Sequence, residues 1–172
     1  RSLLKPNEAM KAFNKAVEIE PKNPLGYANR ASTFIWISKF KEAIPDYDKA
    51  ISLNDKNDGY FSSRGYCHFR LYLEGSNPNR NLAKSDAEKS ILLNPNNPIA
   101  LGIRGIFRWE DKDLAGANSD ADKALQLTPN SFLSYMIRGF IKSGTKNADG
   151  TFDNDSALIE FEKALKLAPN DT

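Results

Sequence analysis

Small and bulky apolar residues recur along the chain at helical intervals. Five times a small residue is followed four positions later by an aromatic or small one, and three after that by another small one. The five stripes are Ala9, Phe13, Ala16; Ala43, Tyr47, Ala50; Ala83, Ala87, Ser90; Ala117, Ala121, Ala124; and Ala157, Phe161, Ala164. Steps of four and three place each set on one helical face, where small side chains let a neighbouring helix approach closely. Five residues beyond each stripe stand Pro21, Asp55, Pro95, Pro129 and Pro169, and a proline there stops the helix.

Four of the stripes are preceded by a second helical segment carrying Tyr27, Arg30, Ala31; Phe61, Arg64, Gly65; Leu101, Arg104, Gly105; or Tyr135, Arg138, Gly139. Each again offers a bulky residue and a small one four later. Paired helices in phase from Ala9 to Pro169 make this a repeat protein. The pattern resembles the tetratricopeptide repeat, with an aromatic, a leucine and a glycine in its first helix and alanine, an aromatic and proline in its second. The resemblance implies an all-α fold, a right-handed superhelical solenoid of helix-turn-helix repeats, with a concave groove lined by the first helices. It departs in one column, where arginine replaces the usual leucine in all four first helices.

The expected organisation is a single solenoid over 1–172. Residues 1–23 supply only the second helix of a partial repeat, and complete repeats follow at 24–57, 58–97, 98–131 and 132–171. The chain therefore reads as a piece cut from something longer. Repeat lengths alternate between 34 and 40 residues. The six extra residues are expected in the turns of 58–97 and 132–171, where Gly, Asn, Pro and Asp cluster.

Four arginines on packed helices need partners. An acid stands just before the aromatic column of the same four repeats, which predicts structural ion pairs Arg30 with Asp46, Arg64 with Asp86, Arg104 with Asp120 and Arg138 with Glu160. The partial repeat has Ala12 at that position.

Charge and composition narrow the function. Twenty-four basic against 22 acidic residues leave a net charge of +2, too little field to draw in nucleic acid or an anionic membrane. No apolar run approaches the roughly 20 residues of a membrane span, so a soluble chain is expected, its compartment open with a lean to the cytoplasm. A lone cysteine, Cys67, excludes an internal disulfide and a multi-cysteine metal cage. Its neighbour His68 points about 100 degrees away on a helix, so the two do not make a nucleophile and base. Gly139 to Lys146 has the glycine spacing of a phosphate loop but reverses the lysine and threonine and lies on a helix. Thr145 to Ser156 resembles a calcium loop lacking its first aspartate and closing glutamate, a weak calcium-binding alternative beside a polar turn that caps the next helix. The chain is therefore read as non-enzymatic, without cofactor or metal.

The groove faces of the first helices are read as apolar, with Asn29, Trp36, Tyr66, Phe69, Arg70, Ile103, Ile106, Trp109, Met136 and Phe140 lining a partner-binding surface. Aromatic side chains of this kind dominate binding energy. Some family members clamp a terminal carboxylate with lysine, asparagine and arginine. Asn29 matches the asparagine, but Gly59 and Ser63 stand where basic residues belong. The predicted function is a protein-interaction scaffold that holds an apolar protein or peptide segment. The alternative is a structural spacer, or a module that forms homo-oligomers through uncapped ends.

Overall fold

The computed structural model describes residues 6–145 and 150–167. Among these residues the chain is all-α, with nine helices and no β-strand: α1 (Pro6–Ile19), α2 (Pro24–Trp36), α3 (Phe40–Leu53), α4 (Asp58–Leu73), α5 (Pro78–Leu93), α6 (Pro98–Glu110), α7 (Leu114–Leu127), α8 (Phe132–Gly144) and α9 (Asn154–Leu167).

Periodic caps set where the first helix of each pair starts. Asn23, Asn57, Asn97 and Ser131 each turn a side-chain oxygen to a backbone N–H of the following turn, donated by Leu25 at 3.0 Å, Gly59 at 2.9 Å, Ala100 at 3.0 Å and Ser134 at 3.3 Å. Each cap satisfies an N–H that the helix start leaves without a partner. Pro24 and Pro98 open α2 and α6, where proline forgoes no helical hydrogen bond. Three-residue turns at 37–39 and 111–113 join α2 to α3 and α6 to α7, each reversing through a left-handed residue, Ser38 at φ 56° and Lys112 at φ 67°.

The helices gather into two compact units, Arg1–Leu93 and Asn94–Thr172. In the first, each of α1 to α5 packs on the next. Ala28, Ala31, Phe40, Ala43, Tyr47, Ala50, Tyr60 and Cys67 form its core. In the second, α6 packs on α7 and α8, α7 on α8, and α8 on α9. The small-residue stripes are the contact faces: Ala43, Ala50, Ala83, Ala87, Ser90, Ala117, Ala121 and Ala124 have no exposed surface. Glycine permits the closest approach. A Cβ at Gly139 would lie 2.5 Å from the Phe161 ring, so α8 and α9 meet backbone to aromatic.

The insertion expected in the turn of 58–97 takes a different form. Only residues 74–77 separate α4 from α5, and both helices run to 16 residues where α2 and α3 have 13 and 14. Most of the additional chain is helix, because Leu71 to Leu73 continue the pattern of α4 and Pro78 is tolerated in the first turn of α5. Gly75, at φ 99°, closes α4. In the last pair α8 ends at Gly144 and α9 begins at Asn154. The weak calcium reading of 145–156 rests on residues 146–149, which lie outside the described residues. At the end of that segment Asp153 caps α9, accepting from Ser156 N at 3.3 Å.

Candidate functional site

A ladder of ion pairs supports the helices that would carry recognition. The Arg30 guanidinium donates through Nε and NH2 to both oxygens of Asp46 at 2.7 Å. Arg64 holds Asp86 the same way at 2.8 and 2.6 Å, and Arg104 holds Asp120 at 2.8 and 2.6 Å. This two-bond fork matches guanidinium to carboxylate geometry. The three aspartates are buried. Hydrogen bonding to Asp86, and to Asp46 in the earlier repeat, holds the Arg64 and Arg30 guanidiniums above their usual range.

The last rung differs. Glu160 is one methylene longer than aspartate, and its Oε1 faces Lys142 at 3.1 Å, Arg138 at 3.5 Å and Lys163 at 3.6 Å. Its buried Oε2 has no hydrogen-bond partner among the described residues. The longer side chain trades the forked pair for a cluster of three cations.

A second set of partners lies sixteen residues before the arginines, on the second helix of the preceding repeat. Asn14 accepts from Arg30 at 3.0 Å, Asp48 from Arg64 at 2.7 Å, and Asp122 lies 3.7 Å from Arg138. These contacts tie one repeat to the next. Sequence reasoning stopped at pairs within a repeat and missed them, although Asn14, Asp48 and Asp122 sit in one column two residues beyond Ala12, Asp46 and Asp120.

The groove set divides by burial. Phe69, Ile103 and Ile106 are buried and do not offer a surface to a partner, which corrects the expectation for these three. The apolar stripe of α6 was read as uncovered, but α8 packs on it: a Cβ at Gly102 would lie 2.8 Å from Leu133, and one at Gly105 2.8 Å from Ile137. The remaining residues are accessible. In the first unit Trp36 is 55% exposed and Asn29 is exposed, while Tyr66 and Arg70 are half-buried. Arg70 stacks 4.5 Å above Phe40, donates to the Tyr66 hydroxyl at 3.1 Å, and Tyr66 meets Phe40 edge-on at 6.1 Å. Phe40, at the start of α3, was absent from the sequence reading.

In the second unit the half-buried rings of Trp109 and Phe140 stack with centroids 4.6 Å apart and planes 25° from parallel. Phe140 in turn meets Phe161 edge-on at 5.2 Å. Lys112 lies 5.8 Å from the centre of the Trp109 ring, a cation–π contact that the reading also missed. Met136, on the same helix as Phe140, is half-buried.

No group of acids, histidine and cysteine among the described residues has the arrangement of a metal site. Burial pushes the Cys67 thiol up to about 12, far from a nucleophile's range. His68 is buried too, its Nδ1 2.6 Å from Asn79 Oδ1, and Asn79 donates to Ser76 Oγ at 2.7 Å. That chain of bonds fastens the α4–α5 turn. What remains is a frame of ion-paired helices bearing aromatic side chains.

A family model described as Tetratricopeptide repeat matches residues 2–23. A chain of the APC/C hetero-tetramer Cut9–Hcn1 superposes with a TM-score of 0.74 at 21% identity, covering 96% of this chain and 31% of that one. Together these likenesses support a tetratricopeptide repeat protein. Human RNA polymerase II-associated protein 3 is 35% identical to it over 92 residues, 53% of this chain. This repeat protein spans 13% of that relative's length. The first TPR of Spaghetti (RPAP3), solved bound to the HSP90 peptide SRMEEVD, superposes with a TM-score of 0.56 at 25% identity, covering 69% of this chain and 90% of that one. Repeats of this family act by binding and not by catalysis. Among the described residues no helix is long and apolar enough to cross a membrane.

Proposed function

We propose that this chain is a protein-interaction scaffold that holds an apolar segment of a partner against aromatic side chains of its first helices. The stacked Trp109–Phe140 pair carries the reading. Two large rings on α6 and α8 are fixed against each other at 4.6 Å yet keep accessible surface. Rings already immobilised lose little entropy when a ligand covers them. Trp36, with more than half its surface exposed, provides a comparable anchor in the first unit, beside the polar Asn29 on α2.

The similar Spaghetti (RPAP3) repeat, solved with the peptide SRMEEVD, supports peptide binding as the mode. The chemistry differs here. Gly59 and Ser63 occupy positions where a carboxylate clamp needs cations, which favours an apolar ligand over an acidic tail.

The test is affinity capture on the immobilised chain, compared with the variant carrying both Trp109→Ala and Phe140→Ala. The scaffold reading expects the variant to lose the captured partner while its circular dichroism stays helical. An unchanged captured set would leave the spacer as the better description. In a separate titration the SRMEEVD peptide is expected to show no saturable binding, and saturation would contradict the apolar preference.

A further inference from the structure

Glycine and an aromatic ring meet in the last helix pair in a way that bears on the stacked rings beside them. The column that holds Tyr47, Ala87 and Ala121 in α3, α5 and α7 holds Phe161 in α9. Ala87 and Ala121 are small and fully buried, and Tyr47 is buried with its hydroxyl 3.0 Å from that of Ser32. Phe161 has no hydroxyl to anchor it. Its ring lies instead on the backbone of Gly139, with Cε1, Cδ1 and Cζ 2.5, 2.6 and 2.8 Å from where a Cβ would stand. The next residue along α8 is Phe140. Its ring makes two contacts with neighbours on different helices, stacking on Trp109 of α6 at 4.6 Å and 25°, and meeting Phe161 of α9 edge-on at 5.2 Å and 71°. Helix α9 packs on α8, and α8 on α6, so Phe140 passes the position of α9 on to Trp109. A rotamer change that carried Phe140 away would give up both contacts at once.

We propose that Phe161 is a positioning residue of the recognition surface. It fixes the Phe140 ring against Trp109, and the seating of α9 on α8 thereby sets how fully the stacked pair is formed. The proposal rests on the reading of that pair as the binding surface. Gly139 belongs to the same device, because a side chain there would lift Phe161 off α8 and away from Phe140. A ring held in advance loses less freedom when a ligand covers it. Affinity, and not only stability, therefore depends on Phe161.

The test uses the whole chain with Trp36→Phe, which leaves Trp109 as its lone tryptophan, well below the thermal midpoint of each variant. Acrylamide quenching and near-ultraviolet circular dichroism read the order of Trp109, and the neutral dye N-phenyl-1-naphthylamine is the apolar probe. Phe161→Leu keeps most of the bulk and loses the aromatic edge. It should leave Trp109 more readily quenched, flatten its near-ultraviolet bands and weaken the dye by about two- to tenfold, the worth of one aromatic pair. Phe161→Tyr, which brings in the residue that the first complete repeat has in this column, should restore both. A lowered thermal midpoint with Trp109 quenched as in the parent overturns the proposal, because Phe161 would then serve packing alone. The two readings fail separately. Dye binding that survives Trp109→Ala with Phe140→Ala sinks the recognition surface, and the quenching of Trp109 still decides whether Phe161 holds the stack. Dye binding lost by that pair of substitutions but undiminished in Phe161→Leu overturns the role of Phe161 alone.

Discussion

Arg64 joins three helices, holding Asp86 of α5 by two bonds and Asp48 of α3 by a third. Its two acids differ in burial, which sets what each removal costs. Arg64→Ala leaves Asp86 buried without its counterion and should destabilise the fold by about 2–4 kcal/mol, read from urea denaturation. Asp48 is more than half exposed, and Asp48→Ala should cost no more than about 1 kcal/mol. The sign of the pH effect follows from the arginine's raised affinity for its proton. A group raised on folding contributes fully below its unfolded value, which for an arginine lies far above neutral pH, and loses that contribution only above it. The arginine side of the ladder should therefore add no slope to stability from about pH 5 to about pH 9.

Cys67 behaves in the same sense within reach of experiment. With the thiol ordinarily at 9.0 and held at about 12 in the fold, stability is unaffected below 9.0 and falls as pH rises from there towards 12. At pH 8 the native thiol should resist a disulfide-exchange reagent, and labelling should proceed at the rate of unfolding. Labelling as fast as that of a free thiol would show the burial to be absent.

Helices and their partners were legible in the sequence to different depths. The small-residue stripes and the proline or asparagine punctuation repeat in register, so the helices and their second-helix contact faces follow from spacing alone. The fate of the other apolar face does not follow. Periodicity reports that Ile103 and Ile106 share a face, not which neighbour covers it. The answer lies in Gly102 and Gly105, which draw the first helix of the next repeat onto α6. Likewise the additional residues of α4 and α5 carry turn-forming composition, yet Pro78 starts a helix and the break shrinks to 74–77. Close approach by glycine yields a prediction at this scale. Gly139→Ala places a methyl group against the Phe161 ring and should destabilise by about 1–3 kcal/mol, seen as a lowered thermal midpoint. Gly144→Ala, where a Cβ meets nothing, should be neutral or slightly stabilising.

The molecule as a whole pairs a stiff frame with a small accessible surface of large rings. The ladder fixes the helices of each repeat and ties successive repeats within each unit. With Phe69, Ile103 and Ile106 withdrawn into the packing, the proposed recognition surface narrows to Asn29, Trp36, Tyr66 and Arg70 in one unit and to Trp109, Met136 and Phe140 in the other. The most direct measurement is partner capture by the chain and by its Trp109→Ala, Phe140→Ala variant at equal folded concentration. The account predicts that the variant stays helical and loses its partner. A variant that keeps its partner at undiminished affinity would contradict it.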